Sequence, residues 1–158
     1  KSCGVKKPKK AMNFSTAFLK SINNPGSYRD DRFKDVCIKS KELYNQSLYY
    51  LRQCLFGNIQ WFKEYELTGL FGEFDEPIYR NLPIQSSQQV VKQVFRDWKS
   101  WVESLKDWRK HPHKYKSVPK IPIPIAIGNK KELATCIFTN QQCKIKSGFL
   151  HFPKAANI

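Results

Sequence analysis

Apolar side chains recur at steps of three and four residues in two long stretches of the chain, the spacing that gathers them on one face of a helix. In the first, Arg32 to Phe56, the series is Phe33, Val36, Cys37, Leu43, Tyr44, Leu48, Leu51, Cys54 and Leu55, and Gly57-Asn58 supplies a stop signal. The second opens at Leu82-Pro83, where proline suits a first helical turn, and closes at His111-Pro112, where proline cannot continue a helix. Its stripe is Val91, Val94, Trp98, Trp101, Leu105 and Trp108, widened by Phe95 and Val102, which predicts one continuous core face. Between the two, residues 59–82 are aromatic and acidic, predicting one short helix and a loop before Pro77. Beyond them the prolines alternate with isoleucine from Pro119 to Ile125, which disfavours helix and suits an edge or a linker.

The period then changes. Leu133 to Thr139 and Gln142 to Lys146 are rich in β-formers and flank Asn140-Gln141, and a third run, Phe149 to Phe152, follows Gly148. These predict strands, the first two joined as a hairpin, that need a small sheet or barrel for stability. The expected fold class is therefore α+β: two long helices, then a small antiparallel β-sheet or partial β-barrel. The expected division is an N-terminal arm (1–31), a helical lobe (32–116) and a β-rich segment (117–158), with a seam near 117–130. The arm carries five lysines in its first ten residues and a breaker run at Asn23-Asn24-Pro25-Gly26-Ser27. It is open to two readings, a phosphate-binding arm or a solvated leader.

Charge adds a partner to this outline. Lys and Arg number 28 against 13 Asp and Glu, a formal net charge of +15. An excess of that size calls for a polyanion, and phosphate backbones are favoured because each bound cation releases a condensed counterion. A membrane would need about 20 consecutive apolar residues or a bare amphipathic helix, and neither stands out, so no membrane partner is expected. On the second helix, Lys92, Arg96, Lys99, Lys106 and Lys110 project opposite the apolar stripe, broken only by Glu103. Lys114, Lys116 and Lys120 continue the positive run. These eight residues are the candidate contacts to a nucleic-acid backbone.

Other constellations point to no chemistry of their own. The five cysteines are scattered without a C-x-x-C pair, which suits reduced thiols in a cytoplasmic setting rather than disulfides or a zinc knuckle. The basic start lacks the apolar run of a secretory leader. His111 and His113 could chelate a metal, but without a third ligand they suit helix capping or phosphate contact. The carboxylates at Glu64, Glu66, Glu73, Asp75 and Glu76 have no histidine at ligand spacing and read as a solvated surface. No phosphate-binding loop, nucleophile elbow or zinc-protease motif occurs. The three tryptophans of the second helix could stack on bases, but their spacing favours core.

Several motifs resemble one family in order. Lys39-Ser-Lys-Glu-Leu-Tyr-Asn-Gln-Ser-Leu-Tyr-Tyr-Leu-Arg-Gln53 resembles the first recognition-lobe helix of the TnpB/OrfB-type transposon-encoded RNA-guided nucleases, the transposase family of insertion sequences. Tyr79-Arg-Asn-Leu-Pro-Ile-Gln-Ser-Ser-Gln-Gln89 with Trp98-Lys-Ser-Trp101 resembles the second. Pro112 to Pro124, Phe138 to Gln142 and Leu150 to Lys154 resemble the wedge-domain strands that follow, so the likeness spans roughly 36–154. It implies a helical recognition lobe set into a small wedge barrel. Such a half grips guide RNA and target DNA by shape and backbone charge and reads a short motif flanking the target. Gln85, Gln88 and, more weakly, Lys92, with Thr139 and Asn140 of the strand-end turn, match positions facing that motif. An amide can offer a donor and an acceptor together to an adenine edge, although Gln85 and Gln88 could equally just start a helix.

The resemblance also sets limits. The family's metal-binding carboxylates and zinc ribbon belong to a later nuclease half that would begin beyond Ile158. No catalytic or metal-binding residue and no cofactor is therefore expected in this chain, with Mg2+ and Zn2+ expected only in that half. Residues 1–31 show no counterpart of the first wedge strand. Two alternatives stay open: a stand-alone, nuclease-dead DNA-binding regulator, and a generic basic RNA-binding protein.

Overall fold

The computed structural model describes residues 31–57, 60–126, 133–147 and 149–158. Except for Asp31, the expected basic arm lies outside the described residues, as do Asn58 of the first stop signal, Gly148 and part of the expected seam. The described chain is α+β: mostly helical, with one two-stranded antiparallel sheet.

Helix α1 runs Asp31–Phe56 and buries Val36, Leu43, Leu48, Leu51 and Cys54 along the expected stripe. Two short helices follow, α2 (Glu64–Glu73) and α3 (Pro77–Arg80), where one was expected. Pro77 begins α3 instead of ending a loop, because its missing N–H costs nothing in a first turn. The Glu66 carboxylate accepts from the Lys63 backbone N–H at 2.7 Å, closing the start of α2. Between α2 and α3, Asp75 takes a left-handed φ of 49° and is held by Arg80 at 2.7 Å.

Helix α4 spans Ile84–Lys110 and packs on α1 in the same direction. Val36 and Leu43 cluster with Val90 and Val91, and further along Leu48 and Leu51 meet Val94 and Trp98. Four serines are fully buried within the helical lobe, Ser40 and Ser47 of α1 and Ser86 and Ser87 of α4, with Ser87 donating to the Tyr79 carbonyl of α3 at 2.7 Å. The chain between them crosses over, so α2 and α3 close the core from the side: Phe71 packs against Tyr79 and Tyr50, and Trp61 against Trp98.

The parallel pairing corrects the expectation of a core face running through Trp108. Trp98 is 4% exposed, but Trp101, Val102, Leu105 and Trp108 are only half-buried. Helix α1 stops at Phe56, and the last two turns of α4 extend about 12 Å past it at 1.5 Å per residue. The chain itself supplies partial cover. After a 3-10 turn at Pro112–Lys114, the Tyr115 hydroxyl donates to Asp107 at 2.7 Å and the Trp101 indole N–H donates to the Pro119 carbonyl at 3.1 Å.

The proline-alternating segment then lies back along α1 as an extended strap. Asn45 grips the backbone of Ile125 twice, donating to its carbonyl at 2.9 Å and accepting from its N–H at 2.8 Å. Arg52 donates to the Pro122 carbonyl at 2.9 Å, and Ile121 enters the Leu48–Trp98 cluster. The Asn45 amide and the Arg52 guanidinium thus satisfy a backbone whose prolines leave it short of ladder partners. Asn45→Leu is expected to cost about 1–3 kcal/mol by orphaning both Ile125 groups, and to speed tryptic cleavage after Lys120. Unchanged urea unfolding together with an unchanged cleavage rate would contradict the strap's anchoring.

The β-rich segment differs from expectation. Residues 133–139 are extended but pair with no strand among the described residues; Ala134, Cys136 and Phe138 alternate inward onto the helical core while Leu133, Thr135 and Ile137 face out. The expected hairpin between 133–139 and 142–146 does not form. The reason is local: the Thr139 carbonyl accepts from both Gln142 and Cys143, and the Gln142 side chain accepts from the Thr139 N–H at 3.0 Å, so the turn is tied off by its own residues. Pairing occurs one step later, β1 (Lys144–Lys146) against β2 (Phe149–His151), with Ile145 opposite Leu150 and Ser147 at φ 49° in the turn. This hairpin is exposed, and among the described residues no barrel closes around it. Phe152 anchors it, meeting Phe33 and Phe138 edge-on, and Ile158 returns to the main core.

Candidate nucleic-acid interface

Lys92, Arg96, Lys99, Lys106 and Lys110 are all exposed along α4, on the side away from Val91, Val94 and Trp98. At about 100° per residue the same line begins earlier, with Gln85 and Gln88, so one polar stripe runs the length of the helix: amides first, cations after. From Lys92 to Lys110 it extends roughly 27 Å at 1.5 Å per residue. Its cations hold to one side because the opposite side is fixed by Trp98 in the α1–α4 core, and a rigid helix leaves them no other direction.

Most of these charges are uncommitted. Lys92, Arg96, Lys99 and Lys110 form no hydrogen bond or ion pair among the described residues. Lys106 is the exception, meeting Glu103 at 3.0 Å with both side chains well exposed. A pair so open to water is weak and yields readily to a phosphate. At the end of the stripe the Tyr115 hydroxyl holds the Asp107 carboxyl below its ordinary range, assisted by the nearby positive charge of Lys114, His111 and Lys110. Lys114 and Lys116 are exposed around this end. Lys120 is exposed too, but follows the Pro119 carbonyl that Trp101 holds, so it belongs to the strap's flank of α4 and does not prolong the stripe in line.

The amide end is a built cluster. Thr139 donates its hydroxyl proton to the Gln85 carbonyl oxygen, and the Gln85 amide donates onward to Gln141 at 3.3 Å. Ser86 donates to Gln142 at 3.3 Å, tying the 139–142 turn to the first turn of α4. Asn140 is exposed at the tip of that turn. Gln88, one turn further along α4, meets the Tyr79 hydroxyl, which burial pushes above its usual range. Gln85 and the Thr139-Asn140 turn, far apart in sequence, are thus neighbours at the mouth of the stripe, with Gln88 beside them. Gln141 and Gln142 were not singled out in the sequence. The signal available was their adjacency to Thr139-Asn140 in a turn. Lys144 and Lys146 were also passed over, although their alternation puts both on one exposed face of β1.

The remaining candidates have other surroundings. Trp98 is buried between Trp61 at 5.2 Å and Trp101 at 5.3 Å and offers no face to a base. The His111 and His113 rings lie 6.1 Å apart, and among the described residues no group of three or more His, Cys, Asp or Glu is placed to hold a metal ion. Cys37 and Cys136 meet where the 133–139 segment crosses α1, with the Cys136 thiol between Ser40 and Ser86; burial raises both thiols above their ordinary range. No described helix is long and apolar enough to cross a membrane. No family model, curated protein or solved structure matches this chain.

Proposed function

We propose that this chain binds nucleic acid through the α4 stripe, as the recognition-lobe and wedge part of a TnpB/OrfB-type RNA-guided DNA endonuclease. In this reading the chain grips guide RNA and target DNA, contributes no chemistry of its own, and leaves cleavage to a separate nuclease half that would carry the Mg2+ and Zn2+ sites. Lys92, Arg96, Lys99, Lys106 and Lys110 contact the sugar-phosphate backbone, with Lys114 and Lys116 at the end and Lys120 on the flank. Gln85, Thr139 and Asn140, with Gln88, read the short motif flanking the target, since amides and hydroxyls discriminate base edges while cations alone do not.

The observation that carries the binding role is the stripe itself: exposed, largely unpaired cations in register on a helix whose opposite face is locked in the core. The contact between Gln85 and Thr139 across 54 positions brings the strand-end turn beside the start of α4, which supports reading by the exposed Asn140 and Gln88 next to it. Sequencing the RNA that co-purifies with the intact gene product tests the family assignment. A discrete, structured species from the neighbouring transposon end is expected. A mixture that follows cellular abundance would instead identify a generic basic RNA-binding protein.

A further inference from the structure

Beside the stripe, and separate from it, α4 carries a second polar column, Gln89, Gln93 and Asp97, at spacing i, i+4, i+8. It opens into a cleft of about 410 Å³ bounded by Tyr44 of α1, Ile125 of the strap and the 133–137 stretch. Asp97 stands in this cleft with each carboxylate oxygen already oriented: Tyr44 donates to Oδ2 at 2.8 Å and Gln93 to Oδ1 at 2.6 Å. A carboxylate oxygen has two acceptor directions, so each keeps one free. Facing the polar column are mainly aliphatic groups, Val90, Ile125, Leu133, Ala134 and Ile137, the last at 37% exposure, with Thr135 among them. A fixed, half-buried carboxylate facing an apolar slot is an unusual feature of a chain with net charge +15. It repels phosphate, so the phosphate-binding role of the stripe does not explain it.

We infer that this cleft receives a single unpaired guanine, held between the aliphatic walls with its Watson–Crick edge on Asp97. Guanine is selected by chemistry. Its adjacent N1–H and N2–H groups are two donors side by side, the complement of two carboxylate oxygens, whereas uracil offers one donor, N3–H, between two acceptors, and cytosine and adenine each offer one amino donor beside an acceptor. The apolar walls take the planar faces, as in pockets that hold an extruded base. The Gln89 amide is placed in the same column to address the remaining polar edge, and the volume falls within the roughly 300–1,000 Å³ of small-ligand sites. The inference rests on the nucleic-acid reading above and adds a base-specific contact to it: a strand lying on the stripe turns one nucleotide sideways into the cleft.

The test is an amide-resolved NMR titration of the full chain with uncharged guanosine, alongside adenosine, cytidine and uridine. Guanosine is expected to perturb Gln89, Gln93, Asp97 and Tyr44 and to bind at least about tenfold more tightly than uridine, the lower part of the range for a bidentate contact. Asp97→Asn, which keeps the size but replaces one acceptor with a donor, is expected to lose that preference. Ile137→Trp, which fills the mouth and leaves Asp97 intact, is expected to lose binding as well. Equal affinity for all four nucleosides, or a folded Asp97→Asn chain that retains guanosine preference, would overturn the inference. Because guanosine carries no phosphate, its binding reports the cleft alone. The salt dependence of oligonucleotide binding reports the stripe, so failure of either is told apart from failure of the other.

Discussion

Trp98→Ala is expected to lower the unfolding free energy by about 3–5 kcal/mol, and Trp101→Ala by about 1–2 kcal/mol, although the two look alike in sequence. Trp98 is 4% exposed and touches both Trp61 and Trp101 while packing with Leu48, Leu51 and Val94. Removing it opens a large cavity where the two long helices and the α2 approach converge, and the surrounding parallel helices cannot collapse into it without losing their other contacts. Trp101 packs on the edge of the same cluster and is half in water. Its loss removes a half-exposed ring from the flank of Trp98 and frees the Pro119 carbonyl from its indole donor, a partly exposed hydrogen bond worth about 1 kcal/mol. Urea unfolding followed by far-ultraviolet circular dichroism measures both without relying on the mutated fluorophore. Equal losses would show that α4 is buried evenly along its length.

The two long helices were legible because each is long, periodic and bounded by strong signals. The expected Arg32–Phe56 and the interval from Leu82-Pro83 to His111-Pro112 differ from Asp31–Phe56 and Ile84–Lys110 by a residue or two. How deeply each face is buried was not legible, because periodicity says which side is apolar and not how long its partner is. Trp108 and Leu105 carry the same pattern as Val94, yet among the described residues no partner helix extends that far. The β-rich segment failed for a related reason. Composition correctly gave extended chain at 133–139, but its neighbour was chosen by Gln142, whose side chain closes the turn, and by the helical core, which takes Ala134, Cys136 and Phe138. Extended conformation is a local property and pairing is not.

The site divides in the same way. The cations of the stripe were readable because a single helix sets their direction, and all five are exposed on one side. The meeting of Gln85 with Thr139 came only through the family resemblance; no spacing rule connects positions so distant. The strap's anchor and the cleft carboxylate were invisible. Asn45 lies 80 residues from Ile125, and Asp97 lies 53 from Tyr44, and neither type stands out in a helix sequence. Contacts at such separations belong to tertiary structure, where one sequence without its fold offers no guide.

The second large effect concerns the stripe. Replacing Lys92, Arg96, Lys99 and Lys110 with glutamine removes charge from side chains that make no hydrogen bond or ion pair within the described protein, so folding stability should move by no more than about 0.5 kcal/mol. Lys106 is left in place because Glu103 already engages it. Binding should respond very differently, since each cation brought to a phosphate of duplex DNA contributes about 0.9 to the slope of log affinity against log salt concentration. The decisive measurement is that slope for a short DNA duplex, wild type against the fourfold variant. A slope shallower by about 3.6 with unfolding unchanged is expected; an unaltered slope and affinity would contradict binding through the stripe, leaving the outward cations of α4 as solvated surface.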